Sequence, residues 1–282
     1  MPSSPFAVSD VVVTFSGRFN IISELRVGGQ GVVYRATRLS TPAGDSANDD
    51  VALKLHTDPH EDIRAEREIK TMEGNRHPNL ANLIEHGLAV VAGQPVRFAA
   101  WAFIEGVALD HQLVAGPITP KIACVIGRDV ATAVDHLWTR DRIVHRDINP
   151  KNIMLRTGLR EAVLIDLGAA KHLNQSPITA PLLTWGTMGY LSPEQFTAAQ
   201  NLTSASDVFS LGLVIQECLL GRHPTGCDQM RLLGGGLRTA SICPAVPVAL
   251  ANLVDQMLAV RPAFRPLPKV LAVEFATLAT IL

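Results

Sequence analysis

Three side chains in the middle of the chain have the chemistry to hold a divalent cation. Asp147 and Asn152 lie in one short segment, and Asp166 directly follows the apolar run 163–165. Carboxylate and amide oxygens are the ligands that Mg²⁺ prefers in proteins. The apolar run predicts a short buried strand that ends at Asp166. Residues 153–163 predict a hairpin-like connection, which would bring the two carboxylates together. Taken alone, a carboxylate at the end of an apolar strand is more often a surface Asp in a turn.

The sequence around these residues contains two motifs in order. His145-Arg146-Asp147 is followed, after four intervening residues, by Asn152, and Asp166-Leu167-Gly168 comes next. This arrangement resembles the catalytic loop and the metal-binding turn of protein kinases. The resemblance implies that Asp147 accepts the hydroxyl proton of the substrate and orients its oxygen. It also implies that Asn152 and Asp166 hold Mg²⁺, or alternatively Mn²⁺, on the phosphates of ATP.

Composition excludes several other classes of protein. The 282 residues can bury a large core, and a formal net charge of −1 with 18% charged residues argues against binding to nucleic acid or a membrane surface by bulk charge. No apolar run has the length of a bilayer span. The four cysteines form no Cys-x-x-Cys pair. They predict reduced thiols in a cytoplasmic protein, without a disulfide or a zinc site.

A glycine-rich turn near the N-terminus joins two β-like runs. Such a turn lets backbone N–H groups approach phosphate oxygens, because no Cβ stands in the way. A plain hairpin would give the same pattern. The family pattern Gly-x-Gly-x-x-Gly-x-Val is matched at Gly28, Gly31 and Val33, whereas Arg26 takes the place of the first Gly. The resemblance implies that these residues and Val27 contact the nucleotide. We expect Arg26, as a departure from the pattern, to alter how the loop closes over the nucleotide.

A lysine and a glutamate further along form the next matching pair. In the strand-like run 51–55, Ala52 and Lys54 share one face, which would leave room for a flat ring beside an ammonium group. Residues 61–73 predict a helix, and Glu68 borders its apolar side. The resemblance implies that Lys54 and Glu68 form an ion pair. An exposed Lys on an edge strand is the alternative.

Two further strands are predicted over 80–89 and 96–104, which completes a small antiparallel sheet. The second of these runs resembles the connection between the two lobes of a protein kinase. The resemblance implies that main-chain groups of Ala102 and Ile104 hydrogen-bond adenine. It also implies that Met154 forms an apolar floor beneath the adenine ring.

The catalytic loop departs from the usual serine/threonine pattern at one position. Serine/threonine kinases usually carry a Lys two residues after the catalytic Asp, and this residue is Asn149 here. Lys151 takes the place where many tyrosine kinases carry an Arg that serves the same charge. We therefore expect Lys151 to approach the γ-phosphate. A surface Lys without this role is the alternative.

The segment 186–195 bears on the class of substrate. It resembles the Gly-Thr-x-x-Tyr-x-x-Pro-Glu of serine/threonine kinases, in particular the bacterial eukaryote-type (Hanks-type) enzymes. The polar segment 171–181 precedes it and is typical of a mobile loop. Thr179 and Thr184 are candidate autophosphorylation sites, and unmodified loop threonines are the alternative. The resemblance further implies that Asp207 holds the catalytic-loop backbone.

The resemblance covers residues 19–282 and implies an α+β fold. This is a bilobal protein-kinase-like fold, with a small antiparallel-sheet N-lobe containing one main helix and a larger, mainly helical C-lobe. Residues 1–16 form an N-terminal extension, and 17–282 form the kinase domain. Its N-lobe covers about 17–104 and its C-lobe about 105–282. Within the C-lobe, the resemblance implies a structural ion pair between Arg265 and Glu194.

Together these motifs predict an enzyme that transfers the γ-phosphoryl group of ATP to Ser or Thr hydroxyls of proteins. The expected partners are ATP and a protein substrate, and a homodimer in which one copy phosphorylates the other is compatible with the resemblance. A nucleotide-binding pseudokinase that acts as a signalling scaffold is the main alternative, motivated by Arg26 and Asn149. A phosphotransferase acting on small molecules is disfavoured by the segment 186–194.

Overall fold

A computed structural model of the chain describes residues 11–14, 17–28, 31–40, 49–56, 69, 72–167, 170–172, 186–197, 201–234 and 237–282. The chain divides into two compact units. The first contains Met1–Arg76 and Ala81–Ile104, and the second contains His77–Leu80 and Glu105–Leu282.

The first unit is built on a closed sheet of antiparallel strands. Its strands are β1 (Val11–Thr14), β2 (Arg18–Gly28), β3 (Gly31–Ser40), β4 (Asp50–His56), β5 (Leu83–Val91) and β6 (Gln94–Ala102). Their order in the sheet is β1-β2-β3-β4-β6-β5, and β1 pairs with both β2 and β5.

The strand β1 closes this sheet. The sequence predicts an extra strand over 11–15 without a role, and the structure gives it one. Val13 lies opposite Arg18 of β2 on one side and opposite Val90 of β5 on the other. Closure protects the main-chain groups of both neighbouring strands, which would otherwise be exposed sheet edges. The boundary at residue 16 between an extension and a kinase domain stays a prediction.

The interior of the sheet is apolar. Val51, Leu53 and Leu55, which share one face of β4, are fully buried in the core cluster. The rings of Phe19 and Phe98 pack in the same core with their centroids 5.9 Å apart, a separation typical of favourable aromatic pairs. Most of the helix predicted over 61–73 lies outside the described residues.

The second unit contains most of the helices. They are α1 (Leu109–Leu113), α2 (Pro120–Asp141), α3 (Pro193–Phe196), α4 (Ser204–Leu220), α5 (Met230–Leu233), α6 (Thr239–Ile242), α7 (Val248–Met257) and α8 (Pro268–Ile281). The short strands are β7 (Gly106–Ala108), β8 (Ile143–Val144), β9 (Ile153–Arg156), β10 (Ala162–Leu164) and β11 (Lys171–His172), and two 3-10 helices cover Pro150–Asn152 and Pro262–Phe264. The strands form a sheet β10-β9-β7 and a pair β11-β8.

The helix α2 leads into the segment that carries the candidate chemistry. It begins at Pro120, whose fixed φ suits the first turn, and the Thr119 side chain accepts a hydrogen bond from Ile122 N–H at 3.4 Å. It ends where Arg142 adopts a left-handed conformation with φ 53°. The apolar periodicity of residues 117–142 predicts a helix. The structure confirms it, with the first helical residue at Pro120 after the capping Thr119.

The helices α2 and α8 pack closely because Gly127 has no side chain. A Cβ at Gly127 would lie 2.7 Å from two ring carbons of Phe275. We expect Gly127→Ala to lower the free energy of unfolding by about 1–3 kcal/mol, the usual cost of overpacking a core. Thermal denaturation measures this loss. Gly234→Ala is the matched control, because a Cβ there meets no heavy atom within 4 Å, and equal stability of the two variants would contradict the prediction.

The helix α4 is buried on nearly all sides, as its apolar sequence predicts. Its length and burial place it at the centre of the second unit rather than on its surface. In the part of the chain that the structure describes, no helix has both the length and the apolar character needed to cross a bilayer.

Candidate active site

The hairpin predicted from the sequence is present between β9 and β10. Met154 lies opposite Val163, and Ile153 opposite Leu164. Immediately after this pairing, Ile165 N–H donates to Asn152 O at 2.9 Å. The hairpin therefore brings Asp166 within one residue of a direct main-chain contact with Asn152.

Asp166 and Arg146 both have left-handed backbone conformations, with φ 64° and 72°. Left-handed conformations are uncommon for residues other than Gly, and they persist where the surrounding structure holds them. For Arg146, the structure shows which side chain holds the backbone in this conformation. Asp207, which is 1% exposed, accepts from His145 N–H at 2.9 Å and from Arg146 N–H at 2.8 Å. The predicted role of Asp207 in fixing the catalytic-loop backbone is confirmed.

Burial disfavours the charged form of the Asp207 carboxyl, and its hydrogen-bond partners offset part of this effect. Burial raises the pKa of this carboxyl, while the His145 ring and the two N–H donors act in the opposite direction. His145 is itself fully buried, and its Nδ1 accepts from Asp147 N–H at 3.3 Å. The buried carboxylate thus orders the segment that carries Asp147.

The Asp147 carboxylate is surrounded by hydrogen-bond donors. Its Oδ1 accepts from Thr187 N–H at 2.8 Å, from the Thr187 hydroxyl at 2.7 Å and from the Asn149 amide at 2.9 Å. Its Oδ2 accepts from the Asn152 amide at 3.0 Å. Hydrogen bonds to a charged acceptor are stronger than those between neutral groups. The Asp147 carboxylate therefore attaches the catalytic loop to Thr187 in the segment 186–197.

The chemistry of Asn152 and Asp166 fits a magnesium ion shared with phosphates. The Asn152 amide nitrogen donates to Asp147 O at 2.9 Å and to Asp147 Oδ2, so neither bond uses the amide oxygen. No group of three or more His, Cys, Asp or Glu side chains among the described residues could enclose a metal ion. Mg²⁺ is usually bound by one or two protein oxygens together with phosphates and water. The donor set here is of that kind.

Asn149 and Lys151 differ sharply in exposure. The Asn149 side chain is 2% exposed, and its Oδ1 accepts from Lys151 N–H at 2.9 Å, which caps the 3-10 helix Pro150–Asn152. The Lys151 side chain is exposed. Sequence reasoning missed the capping role of Asn149, although an Asn directly before a Pro at the first helical position is a cap signal.

The segment 186–197 is anchored to the second unit by buried hydrogen bonds. Ser192 and Gln195 form a capping box at the start of α3, and Gln195 Nε2 also donates to Arg146 O at 2.9 Å. The backbone at Gly186 has φ 106°, and a Cβ there would lie 2.8 Å from the same Arg146 oxygen. This position therefore requires Gly.

Tyr190 and Glu217 add a second anchor. The Tyr190 hydroxyl donates to Glu217 Oε2 at 2.5 Å, and the Ser210 hydroxyl donates to Tyr190 O at 2.7 Å. Burial raises the pKa of both Tyr190 and Glu217, which favours the protonated phenol as the donor. His223 Nε2 lies 2.9 Å from Gly189 O, and burial lowers the pKa of the His223 ring.

In the first unit, Lys54 lies on a central strand. Its strand β4 pairs with β3 on one side and with β6 on the other, and Lys54 is 8% exposed. The alternative of an exposed edge Lys is therefore wrong. Ala52, on the same strand, lies opposite Trp101. Ala102 N–H donates to Asn82 O at 2.9 Å, so this donor is already used within the first unit. The contact of Ala102 with adenine stays a prediction.

The glycine-rich turn joins β2 to β3 with Gly28 opposite Gly31. Gly31 has φ 135°, and a Cβ there would overlap the carbonyl oxygen of Leu55. Gly is therefore required by the close approach of β4. Arg26 and Val27 are exposed on this hairpin, and Val33, opposite Arg26, is half-buried.

Two other predicted site residues are half-buried, and three lie outside the described residues. Ile104 lies just beyond the end of β6 and is half-buried, as is Met154 on β9. Glu68, Thr179 and Thr184 lie outside the described residues. Their predicted roles stay predictions.

The family of the chain follows from comparison with known proteins. Residues 19–271 match the model of the protein kinase domain. The chain belongs to the protein kinase domain family. It is 31% identical over 276 residues to serine/threonine-protein kinase PknD of Mycobacterium tuberculosis. This match covers 92% of the present chain and 39% of PknD. It is also 31% identical over 215 residues to serine/threonine-protein kinase PrkC of Bacillus subtilis. This match covers 74% of the present chain and 31% of PrkC.

The comparisons confirm the predicted resemblance to bacterial Hanks-type kinases and the α+β kinase-like fold class. The kinase domain of PknI of Mycobacterium tuberculosis has a TM-score of 0.69 against this protein kinase domain, with 21% identity, and the match covers 97% of this chain and 99% of that one. That likeness concerns the fold. The chain spans about two fifths of the length of PknD and less of PrkC.

Proposed function

We propose that this protein kinase domain transfers the γ-phosphoryl group of Mg-ATP to Ser and Thr hydroxyls of proteins. The observation that carries the proposal is the direct attachment of Asp147 to Thr187, at 2.7 Å between Oδ1 and Oγ1. A carboxylate at the general-base position is thereby held against the segment that resembles the substrate loop of serine/threonine kinases. The relatives PknD and PrkC are both named serine/threonine-protein kinases.

In this proposal the protein groups position reactants and complement charge, because phosphoryl transfer needs little covalent chemistry from the enzyme. Asp147 orients the acceptor hydroxyl and receives its proton. Asn152 and Asp166 hold Mg²⁺, which when bound neutralises charge on the phosphates. Lys151, exposed on the same loop, approaches the γ-phosphate.

The remaining assignments come from the resemblance. Lys54, paired with Glu68, holds phosphates of ATP. The nucleotide is further contacted by Arg26, Val27, Gly28, Gly31, Val33, Ala52, Ala102, Ile104 and Met154. Autophosphorylation at Thr179 and Thr184, within a homodimer, completes the proposal.

Incubation with [γ-³²P]ATP, Mg²⁺ and dephosphorylated casein tests the reaction itself. We expect label on the chain and on casein, and acid hydrolysis of both should release phosphoserine and phosphothreonine. A phosphopeptide map of the chain would show whether Thr179 or Thr184 carries label. Nucleotide binding without any transfer of label would instead favour the pseudokinase.

The metal assignment makes a separate prediction. We expect Asp166→Asn to raise the Mg²⁺ concentration needed for half-maximal ATP binding at least about tenfold, or about 1.4 kcal/mol, because a neutral amide replaces a charged ligand. Fluorescence titration with a labelled ATP analogue measures this. Asp141→Asn is the matched control, since the Asp141 carboxylate forms a partly exposed ion pair with Arg140. An unchanged Mg²⁺ requirement would remove Asp166 from the metal site.

A further inference from the structure

The Asn149 side chain touches both the catalytic carboxylate and the segment that follows Gly186. Its Nδ2 lies 2.9 Å from Asp147 Oδ1, 3.1 Å from Asp147 O and 3.1 Å from Thr187 Oγ1. The amide is almost wholly buried, so these bonds form away from water, where they are stronger. A neutral side chain thus occupies the position where serine/threonine kinases usually carry a Lys.

The direction of each hydrogen bond in this cluster is determined by chemistry. The Asn149 oxygen accepts from Lys151 N–H, a group that can only donate, and this fixes which end of the amide faces Thr187. The Asn149 nitrogen can only donate, so the Thr187 oxygen must accept from it. The single hydroxyl proton of Thr187 therefore points to Asp147 Oδ1.

This arrangement makes the two oxygens of Asp147 unequal. Oδ1 accepts from three donors, two of them on Thr187, whereas Oδ2 accepts from Asn152 alone among the described residues. A carboxylate oxygen has about two lone-pair positions. Oδ2 is therefore the atom with room for the hydroxyl of an incoming Ser or Thr.

In this loop, the residue that contacts Asp147 and Thr187 is different from the residue that carries an accessible positive charge. Of the Arg and Lys residues in the segment 145–152, Arg146 is 8% exposed and Lys151 is exposed. The Asn149 amide carries no charge that could act on a phosphate. Lys151 is therefore the cation of this loop that can reach a phosphate group from the solvent side.

We propose that Asn149 is a positioning residue that locks Thr187 onto Oδ1 of Asp147 and so reserves Oδ2 for the acceptor hydroxyl. Asn149 supplies the bridge between the catalytic loop and the segment 186–197, and Lys151 supplies the positive charge. The proposal rests on the proposed kinase function.

Steady-state kinetics with [γ-³²P]ATP and casein test the bridge. We expect Asn149→Ala to lower kcat about 10²-fold, the effect of a misplaced reacting group, with the KM for ATP unchanged. Thr187→Val should have the same effect, and the double variant should lose no more than either single one, because both break one unit. Thr187→Ser, which keeps the hydroxyl, should retain most of the activity.

Matched controls and a rescue separate positioning from folding. Asn252→Ala and Thr277→Val change exposed residues of α7 and α8 and should leave kcat unaltered. Asn149→Lys combined with Lys151→Ala moves the charge onto the bridging residue, and we expect at least tenfold more activity than in Asn149→Ala combined with Lys151→Ala.

Two results would overturn the inference while leaving the kinase function intact. One is a kcat for Asn149→Ala within twofold of an active wild type. The other is multiplication of the Asn149→Ala and Thr187→Val effects in the double variant. A wild type that labels neither itself nor casein would overturn the kinase function together with the inference.

Discussion

Replacement of Asp147 by Ala is expected to lower the turnover of phosphoryl transfer by about 10²–10⁴-fold, or about 3–5 kcal/mol of barrier. The variant loses the proposed general base and the carboxylate oxygens that accept from Thr187, Asn149 and Asn152. The acceptor hydroxyl would then have neither a proton acceptor nor a fixed position. Single-turnover transfer of label from [γ-³²P]ATP to casein measures the loss.

The binding of ATP distinguishes this loss from unfolding. Asp147 is not one of the proposed metal ligands, so Asp147→Ala should bind Mg-ATP with an affinity within about threefold of wild type, well under the 1.4 kcal/mol of a tenfold change. Asp135→Ala, a change on the half-buried face of α2, is the matched control and should keep its turnover. Equal incorporation of label by Asp147→Ala and wild type would show that the chain does not use this carboxylate as a base.

The sequence predicts the local parts of the site well. Apolar runs at 153–155 and 163–165 predict the hairpin between Asn152 and Asp166, because strand pairing over a short connection depends on neighbouring residues alone. The alternation of β4 similarly groups Val51, Leu53 and Leu55 on one face, and the structure buries these three in the core. The resemblance supplies the two long-range contacts of Asp207 and Arg265, which no periodicity could have supplied.

Other contacts could not be predicted because they depend on tertiary packing. Thr187 lies 40 positions after Asp147, and spacing of that kind carries no information about contact. Asn149 differs from the usual Lys, so the pattern indicated a loss where the structure gives a bridge. The role of β1 depends on the register of two partners that lie far apart in the chain.

The segment 186–197 is fixed at its far end by an ion pair between Glu194 and Arg265. The Arg265 side chain is 0% exposed, and its two Nη atoms donate to the Glu194 carboxylate at 2.6 and 2.9 Å. Arg265 also donates to the carbonyl oxygens of Ala205, Ala259 and Val260. The predicted pair is therefore present, with the bidentate geometry that Arg favours. Every carbonyl that it reaches would lose a donor if Arg265 were replaced.

We expect Arg265→Met to lower the free energy of unfolding by about 3–5 kcal/mol at pH 7, because it leaves a charged carboxylate buried without its partner. Urea denaturation followed by fluorescence measures the change. Arg261→Met, which alters an exposed Arg of the same segment, should cost less than about 1 kcal/mol. A loss of that small size for Arg265→Met would mean that the ion pair contributes little to stability.

The pH dependence of this loss has a definite sign. Burial alone would raise the pKa of the Glu194 carboxyl, but the hydrogen bonds and charge of Arg265 outweigh it and hold the pKa below its usual value. In the wild type, this carboxyl therefore contributes stability above the pKa of an unfolded Glu, and the contribution is lost as the pH falls through the lower folded value. In Arg265→Met, burial is no longer opposed by Arg265, and we expect the folded pKa of Glu194 to rise above the unfolded one.

The destabilisation by Arg265→Met should therefore be larger at pH 7 than at pH 5, where Glu194 in the variant can bind a proton and become neutral. For the same reason, Glu194→Gln added to Arg265→Met should recover part of the stability at pH 7 and less at pH 5. Denaturation of the two variants and wild type at both pH values provides the comparison. A destabilisation independent of pH would assign the effect to lost packing and carbonyl bonds of Arg265 rather than to the unpaired charge of Glu194.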